Sequence, residues 1–348
     1  MGVMAVMEGD VSYLGLTALI TAVFQFTFFV VAATLKFDKV TDFAGVFNFV
    51  ILAVTTFFLN STHTLRQTVL TCMAVAWGLR LSIFLLLRIL EWGEDKRMDD
   101  KRGNIARFAV FWTLQGIWVW TVSLPITIVN GIATRNPEIQ TADVVGWVMW
   151  GIGVTIEAIA DQQKLQLKRD PAAQRRWCDV GVWKWSRHPN YFGEIFLWCG
   201  IFLASTPVLE GGQWGAIASP TLITLLLLFV SGIPLLEASG DKKHGGNPAY
   251  RAYKSRTSPL IPLPPALYGS LPNWLKTVFL FEFPLYNRKL AAVPSWRLYN
   301  LFTCTLLGKL LCIWTFYCII RICINHPTKC NIEVGGFTSA RLPESVEK

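Results

Sequence analysis

Two stretches of this chain, Val11 to Leu35 and Phe108 to Thr134, carry no charged residue at all. Each exceeds the roughly 20 residues that an α-helix needs to cross the hydrocarbon of a bilayer. Inside lipid every backbone N–H and C=O must be satisfied within the segment itself, so such runs are forced into helices. Five shorter apolar runs repeat the signal, at Phe43 to Asn60, Leu70 to Leu90, Val144 to Asp161, Tyr191 to Leu209 and Ile217 to Leu236. The fold class expected is therefore all-α: a polytopic membrane protein with seven transmembrane helices. A composition of 53% hydrophobic and 16% charged residues agrees with that class and argues against a soluble domain.

The formal net charge of +9 could suggest a nucleic-acid partner, but the lysines and arginines fall in alternate loops, the pattern of cytosolic membrane loops. No nucleic-acid partner is expected; membrane lipid is. With the N-terminus outside, the basic stretches Lys96 to Arg107 and Lys164 to Arg187 face the cytosol, while the opposite loops hold only Arg66 and Arg135. The sequon Asn60-Ser61-Thr62 then faces the lumen, close to the bilayer. The length of the first apolar run favours a retained helix over a cleaved signal peptide. The eight cysteines form no CxxC pair, and five of them crowd the stretch Cys304 to Cys330, so no metal site is assigned.

Residues 1–262 are expected to form one seven-helix unit. A Pro- and aromatic-rich linker follows at 263–297, then a candidate eighth membrane or interfacial helix at 298–324 interrupted by Lys309, and a flexible tail at 325–348. Within the unit, Asn247-Pro248 reads as an N-cap with proline at the first helical position, opening a short helix that Ser258-Pro259 closes.

Polar residues inside the spans carry the chemistry. Arg80 and Arg88 lie in the third span, and burying an arginine near a helix centre costs about 2.5 to 3.5 kcal/mol on insertion scales. Each needs a partner or an aqueous cavity, although Arg88 can also snorkel beside Glu91 and Trp92. Glu157, Asp161, Lys164 and Lys168, at offsets of four, seven and eleven, form one polar stripe on the fifth helix, which Asp170-Pro171 ends. Glu157 lies about one turn inside the membrane and also requires a partner. A basic, aromatic loop follows, and Ser186 to Glu194 (SRHPNYFGE) leads into the sixth span with Pro189 at its first position. Cations beside unpaired helix N-terminal N–H groups suit an anionic cofactor, whereas the bland alternative for the loop is a headgroup-level anchor.

The stretch from Asp161 to Glu194, DQQKLQLKRDPAAQRRWCDVGVWKWSRHPNYFGE, resembles the C-terminal domain of the steroid 5-alpha-reductase family, in the branch of uncharacterised relatives that carry this domain. Supporting likeness lies at Trp77 to Arg97, Phe111 to Pro125 and Tyr250 to Pro262. The resemblance implies a seven-helix reductase of the endoplasmic reticulum whose cytosolic half holds NADPH and whose lipid-facing half admits a hydrophobic substrate. It places Arg97, Asp161, Asp179, Asn190, Tyr191 and Tyr253 at the cofactor, with Arg187 and His188 in the motif of this branch. From its position Glu194 is read as a partner for Arg187 or for a ribose hydroxyl, and Tyr191, as proton donor, and Glu157 are the catalytic candidates. The family's glutamate in the second span is missing, because no acidic residue lies between Asp42 and Glu91. Asn48, His63 and Glu157 are the available substitutes. The expected reaction is reduction of a carbon–carbon double bond. The alternatives are an S-adenosylmethionine-dependent methyltransferase, since RHPxYxG is shared with isoprenylcysteine carboxyl methyltransferases, and a non-catalytic lipid-binding or scaffold protein.

Overall fold

The structure, a computed structural model, describes residues 12–35, 41–60, 62–92, 105–171 and 176–287. Seven helical segments in it are long and apolar enough to cross a membrane. Among the described residues there is no strand, only an isolated bridge between Ser186 and Ser258. The spans begin with α1 (Leu14–Leu35), α2 (Thr41–Leu59), α3 (Leu65–Trp92) and α4 (Ile105–Val122). A short helix, α5 (Leu124–Gly131), precedes the fifth and sixth spans, α6 (Thr141–Arg169) and α7 (Pro189–Ser205). The seventh is composite, running from a 3-10 turn through α8 (Ala218–Leu225) and a π-helical widening at Leu226–Val230 into α9 (Ile233–His244).

Three expected boundaries change, each for a local reason. The uncharged run 108–134 is not one helix: the chain breaks at Ser123, and Pro125, lacking an N–H, opens α5 as a separate element. The seventh run breaks at Gly232, where an added Cβ would lie 2.3 Å from the Leu227 carbonyl oxygen, and Pro234 restarts the helix. The fifth span is longer than its apolar core, 29 residues or about 43 Å, so its charged end projects beyond the hydrocarbon.

Small residues set the closest helix contact. An added Cβ on Gly146 would lie 2.5 Å from the Gly200 carbonyl oxygen, and one on Gly153 would lie 2.6 Å from that of Gly193; the reciprocal distances are both 2.5 Å. This antiparallel glycine seam lets the α6 and α7 backbones touch, as small residues do in lipid, where apolar burial supplies no drive for association. One turn along, Gly193 faces the Glu157 backbone, with its virtual Cβ 2.9 Å from Glu157 N.

Ion pairs fix α3 against α6, and they recur in register. Arg66 pairs with Asp143 at 2.6 Å, Arg80 with Glu157 at 2.5 Å, and Glu91 with Arg169 at 2.7 Å. The sequence offsets are 77, 77 and 78, so the third and fifth spans run parallel. Between the first two pairs sits the core, where Phe49, Trp77 and Trp198 meet with ring centroids 5.1 to 5.4 Å apart.

At the end of the bundle rich in lysine and arginine, hereafter the basic end, α10 (Pro248–Arg256) starts as expected, with the Asn247 side chain accepting from Ala249 N at 2.9 Å. The stretch expected to be a linker instead carries α11 (Pro265–Ser270) and α12 (Asn273–Phe279) and belongs to the same compact unit, which extends to Arg288. The candidate eighth helix at 298–324, the tail and the C-terminal cysteines lie outside the described residues. At the opposite end, the sequon residue Asn60 is buried; its side-chain amide donates to the Asn130 carbonyl and its Oδ1 accepts from Thr62 N at 2.9 Å.

Candidate functional site

Near the basic end, α2, α3, α4, α6 and α7, with Leu236 of α9, line a cavity of about 470 Å³. Two carboxylates of its wall, one turn apart on α6, share Arg80, which enters from α3. Nη2 lies 2.5 Å from Glu157 Oε1, and Nη1 donates to Asp161 Oδ2 at 2.8 Å. The second Glu157 oxygen accepts from Trp77 Nε1 at 3.1 Å. Trp77 and Arg80 are three residues apart on α3, so both reach the same acid. Glu157 therefore obtains the partner its depth demands, and that partner is the arginine that required one in turn.

Glu157, Asp161, Asn190, Tyr191 and Glu194 all line this cavity, together with Arg88, Lys164, Lys168, Asp42 and Gln115. Arg88 does not merely snorkel; its Nη2 donates to Asp42 Oδ2 at 3.1 Å. Lys164 rests 4.8 Å above the Trp183 ring centroid, a cation–π contact. Asn190 lines the cavity, and its Oδ1 is buried with no hydrogen-bond partner among the described residues. The Tyr191 ring is stacked on His188 at 5.6 Å with planes 10° apart.

Other expected site residues stand behind this wall. Arg187 is not in the cavity: its Nε donates to Glu237 Oε1 at 3.0 Å, Nη2 to Glu282 Oε1 at 3.1 Å, and Nη1 to the Lys254 and Thr257 carbonyls at 2.8 and 3.0 Å. His188 caps α7 and joins the same network, its Nε2 2.9 Å from Glu237 Oε1. The motif arginine is thus held by two carboxylates and two backbone carbonyls of this chain and braces the start of α7. Tyr253 donates its hydroxyl to the Trp183 carbonyl at 2.7 Å. Asp179 lies on the loop, 3.8 Å from Arg176. Neither lines the cavity, and Arg97 lies outside the described residues. Of the substitutes for the missing glutamate, Glu157 alone lines it. Asn48 is fully buried in α2 with both amide atoms unpartnered, and His63 sits in a turn at φ +40° against Phe57.

The loop between α6 and α7 is locked onto its neighbours. Val182 N donates to Gln163 Oε1 at 3.1 Å, Trp183 Nε1 to the Ala160 carbonyl at 3.0 Å, and Arg187 N to the Ser258 carbonyl at 2.8 Å. Gly181 turns at φ +53°, and a side chain there would collide with Gln163. Burial sets the local acidities. It holds the His188 ring below its ordinary value, outweighing Glu237, and pushes the Cys178 thiol up to about 11. It also lowers Arg187, but Glu237 and Glu282 reverse the sign and leave it above its ordinary value.

A second cavity of about 750 Å³, largely apolar, lies between α1 and α4. Gln25 lines it and Gln115 lines the first, and Gln115 Nε2 donates to Gln25 Oε1 at 3.1 Å. This amide pair joins the lining of the apolar groove to that of the charged chamber. The sequence reading missed Gln115, Trp77 and the Asp42–Arg88 pair, for which only unexplained polarity inside a span was a signal.

Fold and site together define a seven-span helical membrane protein with an ion-lined chamber at its basic end. The chain belongs to the family described as Protein of unknown function (DUF1295), which it matches over residues 28–257. No curated protein and no solved structure matches it.

Proposed function

We propose that this protein is a membrane oxidoreductase that uses NADPH to reduce a carbon–carbon double bond of a hydrophobic, lipid or steroid-like substrate, acting from the cytosolic face of the endoplasmic reticulum. The observation that carries the reading is the chamber beside α7, which Arg88, Lys164 and Lys168 line together with Asn190, whose buried Oδ1 has no partner among the described residues. These residues fit the dinucleotide: cations match its phosphates, and the free acceptor matches an amide N–H of the nicotinamide carboxamide. When bound, NADPH supplies a hydride. Lys164, Lys168 and Arg88 would hold the phosphates, and the Arg80–Glu157–Trp77 linkage would keep the inner wall from shifting. Tyr191 donates the proton to the carbon next to the one reduced, its ring held by His188. The apolar groove between α1 and α4 suits the body of the substrate, and the surrounding low dielectric strengthens the polar contacts. The likeness of residues 161–194 to the reductase domain supports the same assignment.

Purified protein tests this by nucleotide titration, following NADPH fluorescence and identifying retained nucleotide by mass spectrometry. Saturable NADPH binding is expected, weakened on the order of tenfold by Lys164→Gln or Lys168→Gln, each of which removes one charge-assisted contact. Absence of NADPH binding combined with binding of S-adenosylmethionine overturns the reading in favour of methyl transfer. Lipid profiling of cells lacking the protein should reveal accumulated unsaturated precursors.

A further inference from the structure

Residues 258–287, just beyond the family match, fold back over the basic end as a strap. Leu263 N donates to the Trp185 carbonyl at 3.0 Å, and Tyr268 and Tyr286 are each only 1% exposed. The Tyr268 hydroxyl donates to Glu282 Oε2 at 2.6 Å while the other Glu282 oxygen accepts from Arg187. Both ends of the hairpin 268–282 thus meet at one carboxylate beside the start of the sixth span. On the inner side Phe281, Phe283 and Leu285 join Leu228 and Ile233 in a cluster with Phe192 and Ile195. Those last two belong to the first two turns of α7, a span that begins at Pro189, so the strap sits at the membrane boundary rather than out in the aqueous phase.

Between those fixed points lies α12, seven residues and about 10 Å long. It cannot carry its side chains far from the boundary. Its outer face is apolar: Trp274, Val278 and Phe279 are 63, 62 and 60% exposed, and Leu267 of α11 is 49% exposed. Trp274 and Val278 are one turn apart on a common face.

We propose that this face is a membrane-surface anchor, with Leu267, Trp274, Val278 and Phe279 lying in the headgroup–acyl boundary of the leaflet at the basic end. Lipid is the occupant because the patch continues a surface that lipid already covers. Leu235, exposed on α9 within the seventh span, belongs to the element into which the strap is packed through Ile233. The residue types fit that depth, since tryptophan and phenylalanine favour the interface. Lys276, held 4.7 Å from the Tyr268 ring centroid, supplies a cation at phosphate level. The anchor is independent of what the chamber binds.

The test uses full-length protein in a background with its eight cysteines replaced, carrying Trp274→Cys or Val278→Cys, with exposed Lys242→Cys as the reference. In sparse phosphatidylcholine–phosphatidylserine vesicles, a membrane-impermeant maleimide should label the two strap positions on the order of tenfold more slowly than the reference. Labelling as fast as the reference overturns the proposal. So does protection seen only at high protein density, which indicates a second copy, or only in native membranes, which indicates another protein. If the cysteine-free background does not fold, benzoylphenylalanine in place of Phe279 gives the answer in the natural background: crosslinks to lipid support the anchor, and crosslinks solely to protein overturn it.

Discussion

Arg80 decides the electrostatics of the chamber, because two carboxylates of α6 have it as their common cation. Arg80→Ala leaves Glu157 buried beside Trp77 with no counter-charge, a loss on the order of 3 kcal/mol by analogy with broken buried pairs, moderated because the Arg80 side chain keeps 24% exposure. Adding Glu157→Gln should recover part of that loss, and melting temperatures of the two single variants and the double variant measure the coupling. His188 makes a pH prediction. Burial outweighs Glu237 and keeps its folded pKa below the ordinary 6.5, so the ring is neutral in the fold while the unfolded chain takes up a proton near 6.5. Stability is then present above that value and falls as pH drops from 6.5 toward the folded pKa. Melting temperatures at pH 7.5 and 5.5 should fall further apart for the natural protein than for His188→Gln. Residue by residue, the sequence revealed that Arg80 and Glu157 each needed a partner but not that they were partners, since 77 positions separate them. It assigned Arg187 to a ligand because its partner Glu282 lies 95 positions away in a stretch without periodicity.

Among the elements, α6 and α7 form the frame of the site, and glycine makes their contact close enough to bring Glu157 against the first turns of α7. Gly193→Ala places a methyl group 2.5 Å from the Gly153 carbonyl oxygen, a backbone atom that no rotamer change can move aside. A destabilisation of about 1 to 3 kcal/mol is expected, with weakened ligand binding in the chamber, whereas Gly151→Ala, which meets nothing, should be neutral. Thermal unfolding in one detergent compares the two. Element identity was largely legible here, because apolar length alone announces a membrane helix and Pro189, Asn247-Pro248 and Asp170-Pro171 announce three termini. What length could not announce was where an uncharged run breaks. Pro125 and Gly232 act through local backbone geometry that hydropathy averages away, and the folded strap at 263–287 carries too little pattern to distinguish it from a linker.

For the molecule as a whole, the two cavities and the amide pair between them make access the open physical question. Joining Gln25→Cys and Gln115→Cys by a short crosslinker should leave NADPH affinity within about twofold of the unlinked protein while blocking turnover of any substrate that must pass that pair. Loss of nucleotide binding as well would place the pair in the cofactor's own seat. The three in-register ion pairs between the third and fifth spans bear on the same question. A slip of one residue along those helices, about 1.5 Å, would misalign the acid and base at every level together. These two spans therefore behave as clamped rails, to which Arg88 and Asp42 tie the second, and breathing that admits a bulky guest falls to tilting of the first and fourth helices.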